Sequence, residues 1–193
     1  PPAIAPVQAV IIPVAMHKDG VLDKCREVYI ALKSVARVKL DDRDFTPGWK
    51  FNEYEMKGVP VRIEIGPRDI ENGVATVARR DKTEEKFTIR LDDIATELPK
   101  LLADIQANMY NKALAFRDSH VKIVSDTAEL KDAVDSGNFA LGMWCGDREC
   151  EDKIKEITGA STRNMPFDQT PCGDKCVCCG KKATKKIYFG KAY

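Results

Sequence analysis

The chain has 193 residues, 44% hydrophobic and 32% charged, with 31 Lys and Arg against 30 Asp and Glu for a formal charge of +1. This length allows one large domain or two small ones, and the composition excludes disordered and collagen-like chains. A balance so close to neutral argues against lattice-like binding to duplex DNA, so any nucleic-acid contact has to come from locally placed groups.

Pro1-Pro2-Ala3 has neither the basic region nor the apolar run of a secretory signal. The missing initiator methionine suggests a piece of a longer polypeptide. Gln8 to Val14 is β-branched and almost wholly apolar, as a strand buried on both faces requires. The apolar stretch Ala9 to Ala15 is far below the ~20 residues of a membrane span and contains Pro13, so no membrane partner is expected. After Asp19-Gly20, the spacing of Val21, Leu22, Cys25, Val28, Tyr29, Leu32 and Val35 predicts a helix, and Arg37 to Leu40 a second strand. The polar run Asp41 to Asp44 and the turn Thr46-Pro47-Gly48 lead to a two-turn helix over Trp49 to Met56.

Val61 to Ile65 alternates as a strand with Arg62 and Glu64 on one face, and Gly66-Pro67 stops it. Gly73 to Ala78 reads as the neighbouring strand. Arg79 to Glu85 reads as a charged hairpin tip, before a strand over Lys86 to Leu91. Leu98 to Leu114 marks one long helix, with Pro99 in its first turn. A composition shift at Phe116-Arg117-Asp118 places a boundary between domains 1–116 and 117–193. Beyond it, Asp126 caps a helix through Ala133, Phe139 to Trp144 is an apolar strand, Cys150 to Ile157 is helical, and the end is turn-rich. The expected architecture is α/β: a mixed five-stranded sheet with flanking helices, then a smaller zinc-pinned α/β domain.

Six of the seven cysteines fall in the last quarter of the chain. Without a secretory signal, an odd count suits a reducing cytoplasm and favours metal over disulfides. Cys145 and Cys150 form a C-x4-C pair, and Cys176 and Cys179 a C-x2-C knuckle ending in Gly180. Four thiolates suit tetrahedral Zn²⁺ with no open position, hence a structural ion. Cys178 competes with Cys179 for the fourth place, and Cys172 is the spare. A redox dithiol lacks its usual context at the start of a βαβ unit.

Trp49 to Gly73 concentrates aromatics, guanidinium groups and carboxylates. Such a segment is either a solvated face of mutually paired charges or a reader of single-stranded RNA. In a reader, aromatics stack on splayed bases, carboxylates accept from guanine N1 and N2, and cations donate to O6 and N7. His17 and His120 are isolated and have no nucleophile partner.

Several blocks then carry a resemblance: Val10-Ile-Ile-Pro13, Thr46-Pro-Gly-Trp-Lys-Phe51, Glu55-Met-Lys-Gly-Val-Pro60, Glu64-Ile-Gly-Pro-Arg-Asp69 and Arg79-Arg-Asp81. Together they resemble the anticodon-binding domain of the prolyl-tRNA synthetase family. Trp144-Cys-Gly146, Thr158 to Arg163, the Cys176 to Gly180 knuckle and Phe189 to Tyr193 resemble the zinc-carrying C-terminal extension of its archaeal/eukaryote-like form. The resemblance implies ATP-dependent charging of tRNA-Pro with proline, and a cytoplasmic homodimer. It also implies a class II catalytic domain, holding ATP and Mg²⁺, on the N-terminal side of these residues, so this portion alone is expected to be inactive. It places anticodon contacts on Glu55, Arg62, Arg68, Asp69 and Lys86, zinc ligands on Cys145, Cys150, Cys176 and Cys179, and the Tyr193 carboxylate near the aminoacylation site. Competing readings are a non-enzymatic module that borrowed the domain and a zinc hydrolase with an open metal position.

Overall fold

The run beginning at Ala9 forms β1 (Ala9–Pro13), buried along its whole length because it has a parallel neighbour on each side and a helix over each face. These neighbours are β2 (Val38–Leu40) and β3 (Val61–Ile65). The computed structural model describes residues 1–192, excepting the side chains of Thr83 and Glu84; the expectation for Tyr193 lies outside the described residues. Between β1 and β2, α1 (Val21–Leu32) buries Val21, Cys25, Val28 and Leu32 against the sheet face that carries Ala9, Ile11, Val61, Ile63 and Ile65. Between β2 and β3, α2 (Pro47–Met56) covers the opposite face, where Tyr54 packs on Val10 and Ile12. Thr46 caps α2 by accepting from the Trp49 N–H, and Pro47 occupies a first-turn position where its missing donor costs nothing.

Two antiparallel strands, β4 (Val74–Arg79) and β5 (Lys82–Arg90), complete a mixed sheet of order β2-β1-β3-β4-β5. Gly66-Pro67 does more than stop β3. It opens a short helix, α3 (Pro67–Glu71), because Asp69 turns back to accept from the Gly66 N–H at 2.8 Å.

The expected hairpin tip is also shorter. Arg79 pairs with Lys82 across Arg80-Asp81, and the register shifts where Ala78 pairs with Lys86. The Asp81 carboxylate, 1% exposed, accepts from Arg79 at 2.9 and 2.7 Å and from Asn108 at 2.6 Å, while Arg79 also meets Asp104 at 2.7 Å. Those partners lie on α4 (Ile94–Ser119). This helix starts before Leu98, its first donors satisfied by the Asp93 carbonyl, so Pro99 sits inside it rather than in its first turn.

The chain divides into two units, Pro1–Lys112 and Ala113–Tyr193, with the division inside α4. The composition shift at Phe116 therefore marks no break in backbone structure. In the second unit β6 (Val121–Ile123), α5 (Thr127–Asp135), β7 (Phe139–Trp144), α6 (Arg148–Thr158), β8 (Ala160–Thr162) and β9 (Lys185–Lys191) build a sheet of order β6-β7-β9-β8. Asp126 caps α5 through the N–H groups of Ala128 and Glu129. Strand β9, read from sequence as turn, is central: Ile187 and Phe189 join Leu130, Ala140 and Ile154 in the core. Among the described residues, no helix is long and apolar enough to cross a membrane.

Candidate functional site

Beyond the reach of α2, the sheet face that carries Val10 and Ile12 turns polar. Arg62 and Glu64 on β3 point there, with Ala78 and Thr76 opposite them on β4 and Lys86 and Thr88 next on β5. Only the Ala78 methyl separates Arg62 from Lys86, so both long side chains can lean onto one carboxylate.

Glu64 is that carboxylate. Its side chain is 9% exposed, and it accepts from Arg62 Nε at 2.9 Å and from Lys86 Nζ at 2.9 Å. Arg62 reaches onward from Nη1 to Glu55, on the last turn of α2. The guanidinium carbon stands 4.2 Å from the centroid of the Phe51 ring, and Lys86 Nζ stands 5.2 Å from it. Two cations and two carboxylates are thus held over one aromatic face. The group is electrically balanced, and the pairing spends flexibility to hold donors and acceptors at set positions.

Asp69 lies one step away. Besides capping α3, it accepts from the Thr76 hydroxyl at 2.9 Å, and Thr76 is the cross-strand neighbour of Glu64. A carboxylate offers about four lone-pair sites, so Asp69 keeps acceptor capacity after both bonds. Arg68 is exposed at the start of α3, and its side chain makes no hydrogen bond or ion pair among the described residues.

Glu55, Arg62 and Lys86 therefore meet in one cluster, Asp69 joins through Thr76, and Arg68 stands apart at the surface. Sequence reasoning left Glu64 and Phe51 out of the site. The alternation of β3 already put Glu64 on the face of Arg62, and Phe51 precedes Glu55 by one helical turn, so both signals were present.

Beside this cluster, Asp41 and Arg43 of the polar run form a structural clasp, while Asp42 and Asp44 are exposed. Burial pushes the Asp41 carboxyl up, but the side chain and backbone N–H of Arg43 bring it down to about 2. Arg43 also reaches Glu53, and the buried Lys50 ammonium donates to the Asp41 carbonyl at 3.0 Å, tying the end of β2 to α2.

In the second unit the Sγ atoms of Cys145, Cys150, Cys176 and Cys179 all lie within 4.8 Å of one another, with Cys145 and Cys179 4.0 Å apart. Cys145 follows β7, and Cys150 sits in the first turn of α6. The other two come from a knuckle closed by Cys176 N–H to the Lys181 carbonyl at 2.8 Å and Gly180 N–H to the Cys176 carbonyl at 2.9 Å. Gly180 has φ +70°, a conformation that favours glycine. Val177 N–H donates to the Met143 carbonyl at 3.0 Å, fastening the knuckle to β7.

Metal–sulfur bonds of about 2.3 Å in a tetrahedron place sulfurs about 3.8 Å apart, so this group can hold a metal ion. Burial acts to raise the Cys176 thiol, yet backbone N–H groups of Cys179, Cys178 and Cys145 bring it down to about 7, toward the thiolate a metal needs. Burial pushes the Cys145 and Cys150 thiols up. Cys178 instead packs on the apolar cores around Val177, and Cys172 beside Met143 and Ala183; neither belongs to the group of four.

Both units have relatives. Residues 8–101 match the family model described as "Anticodon binding domain", and residues 127–193 match "Prolyl-tRNA synthetase, C-terminal". The chain is thus an anticodon-binding domain followed by a prolyl-tRNA synthetase C-terminal domain. It is 51% identical over 194 aligned residues to the proline–tRNA ligase of Clostridium novyi, covering all of this chain and 40% of that protein. Proline–tRNA ligase 2 of Bacillus cereus is 49% identical over the same span and coverage. The prolyl-tRNA synthetase of Cryptosporidium parvum, solved with L-proline and AMP, superposes with a TM-score of 0.92 at 36% identity, covering 100% of this chain and 42% of that one. The chain thus spans about 40% of the length of the curated relatives it matches.

Proposed function

We propose that the first unit reads the anticodon of tRNA-Pro, and that the whole protein is a cytoplasmic, homodimeric proline–tRNA ligase whose ATP and Mg²⁺ are held outside these two units. Proline codons begin with two cytosines, so the anticodon offers two adjacent guanines. The observation that carries the reading is the Glu55–Arg62–Glu64–Lys86 cluster over Phe51. Carboxylates at Glu55 and Asp69 accept from guanine N1 and N2, cations at Arg62, Arg68 and Lys86 donate to O6 and N7, and the ordered sheet face holds them in place. Adenine presents the opposite polarity at its ring edge and is rejected.

In the second unit, Cys145, Cys150, Cys176 and Cys179 are the ligands of a structural Zn²⁺. Four thiolates close the coordination shell and leave no position for substrate, which sets aside the hydrolase reading. The ion would join the ends of β7 and α6 to the knuckle, the part of this unit with the least regular structure.

Binding of an anticodon stem-loop tests the first reading. Glu55→Ala or Asp69→Ala should weaken binding of the two-guanine loop by about 1 to 3 kcal/mol and leave an adenine-substituted loop nearly unaffected. Equal affinity of wild type and variants for the guanine loop would remove the assignment.

A further inference from the structure

The reading cluster opens onto a cleft that no base-edge argument uses. A pocket bounded by Glu55, Arg62, Tyr54, Val59 and Arg80 continues, through the last three, into a cleft of about 490 Å³ beside the segment 1–7. The charged side chains lining that cleft are Lys39, Lys57 and Arg80; among the described residues no carboxylate lines it. In a protein with a net charge of only +1, three cations around one concavity are a local concentration of positive potential.

The cations come from three different elements, and the two lysines converge on one ring. Lys39 Nζ on β2 and Lys57 Nζ at the end of α2 stand 5.7 and 5.5 Å from the Tyr54 centroid. Arg80, in the β4–β5 turn, donates from Nη1 to the Gly58 carbonyl at 2.9 Å. Gly58 has φ +70°, and a Cβ there would come within 2.6 Å of that same Nη1, so glycine is what lets Arg80 lie across the cleft. Lys57 also pairs with Glu53, outside the lining, while all three cations remain exposed.

We infer that this cleft is a phosphate-binding track for RNA: Lys39, Lys57 and Arg80 take backbone phosphates of the loop whose guanines are read by the adjoining cluster. The inference rests on the anticodon-reading proposal for its direction. Its chemistry is independent, because phosphate contacts position a nucleic acid without reading its sequence. A nucleotide chain running from the Arg62 pocket into the cleft passes from groups of both signs to groups of one sign, as base edges and phosphates respectively demand.

The experiment measures binding of a tRNA-Pro anticodon stem-loop to the full chain by fluorescence anisotropy across a salt series. The proteins are wild type, Lys39→Gln, Lys57→Gln, Arg80→Gln and the triple variant. Each lost contact should lower the slope of log K against log salt by about 0.7 and the affinity near 0.1 M salt by about fivefold, so the triple variant loses roughly a hundredfold. The ratio of affinities for guanine and adenine loops should not change. Inorganic phosphate should displace the RNA no better than chloride at equal ionic strength. An unchanged slope in the triple variant overturns the track, and so does saturable displacement by phosphate, which would make the cleft a free-anion site. A wild type indifferent to guanine would instead refute base reading, and the slopes would still decide the cleft.

Discussion

Glu64→Gln isolates the contribution of the buried carboxylate. The amide oxygen can still accept from Arg62 Nε, now at 2.9 Å from Glu64, and from Lys86 Nζ at 2.9 Å from the same oxygen, but the amide nitrogen, in place of the second oxygen, would face the Lys86 ammonium as donor against donor. Lys86 keeps at most a neutral acceptor and is held less firmly, and Arg62 keeps Glu55 as its charged partner. Charge-assisted hydrogen bonds contribute about 1.5 to 3 kcal/mol, but the Lys86 side chain is 48% exposed, so solvent screening brings the stability loss toward about 1 kcal/mol. Recognition is affected differently. A cation held opposite guanine is loosened, which costs up to about 1 to 3 kcal/mol of discrimination, while the cluster gains one net positive charge that attracts any RNA. The adenine loop should therefore bind as well as before or slightly better, and the guanine loop should weaken. Anisotropy titrations with both loops read the ratio, and thermal melting reads the fold. A variant that melts normally and keeps the wild-type ratio would refute the reasoning, because Glu64 would then be a packing group alone.

Removing the metal with a chelator, or Cys145→Ser, should unfold the second unit and leave the first folded. Apparent binding free energies of structural zinc are about 10 to 16 kcal/mol, and separate calorimetric transitions would report the loss. Arg79 beside Asp81 lowers its carboxyl to about 2, from an ordinary 3.8. A depressed carboxylate stabilises the fold above its unfolded value and loses that contribution as pH falls through the folded one. Between about pH 4 and 2 wild type should therefore lose on the order of 2 kcal/mol that Asp81→Asn lacks from the start, read by denaturant titration. Gly58→Ala should cost about 1 to 2 kcal/mol through its positive φ and displace Arg80 from the cleft, seen as a lower melting temperature with a reduced salt slope.

The elements legible in the sequence were those whose burial is periodic. β1 and β3 are apolar or alternating, α1 repeats every three or four residues, and β7 is a continuous apolar run, so the pattern and the packing agree. β9 was hidden because Lys185, Lys186 and Lys191 mask its apolar positions. Lys186 is nonetheless buried, its backbone paired with the Gln169 amide and its ammonium 3.4 Å from Asp168, contacts that pattern alone does not disclose. The charged tip at Arg79-Arg80-Asp81 misled for a related reason. Charges usually mark solvent, but here Asn108 and Asp104, more than 20 residues along the chain, enclose Asp81 and Arg79, while Arg80 stays exposed.

For the candidate site, spacing pointed to the four cysteines, while choosing between Cys178 and Cys179 needed the knuckle geometry. Glu64 was absent from the expected site because a strand-centre carboxylate reads as one half of an ordinary surface pair. Only the convergence of Arg62, on the same strand, and Lys86, two strands away across Ala78, shows otherwise.

The most direct measurement is the ratio of affinities of the wild-type chain for anticodon stem-loops carrying two guanines and two adenines at those positions, at one fixed salt concentration. A preference of about tenfold or more for guanine is the expected result. Equal binding of the two loops would contradict the central claim that this sheet face reads bases.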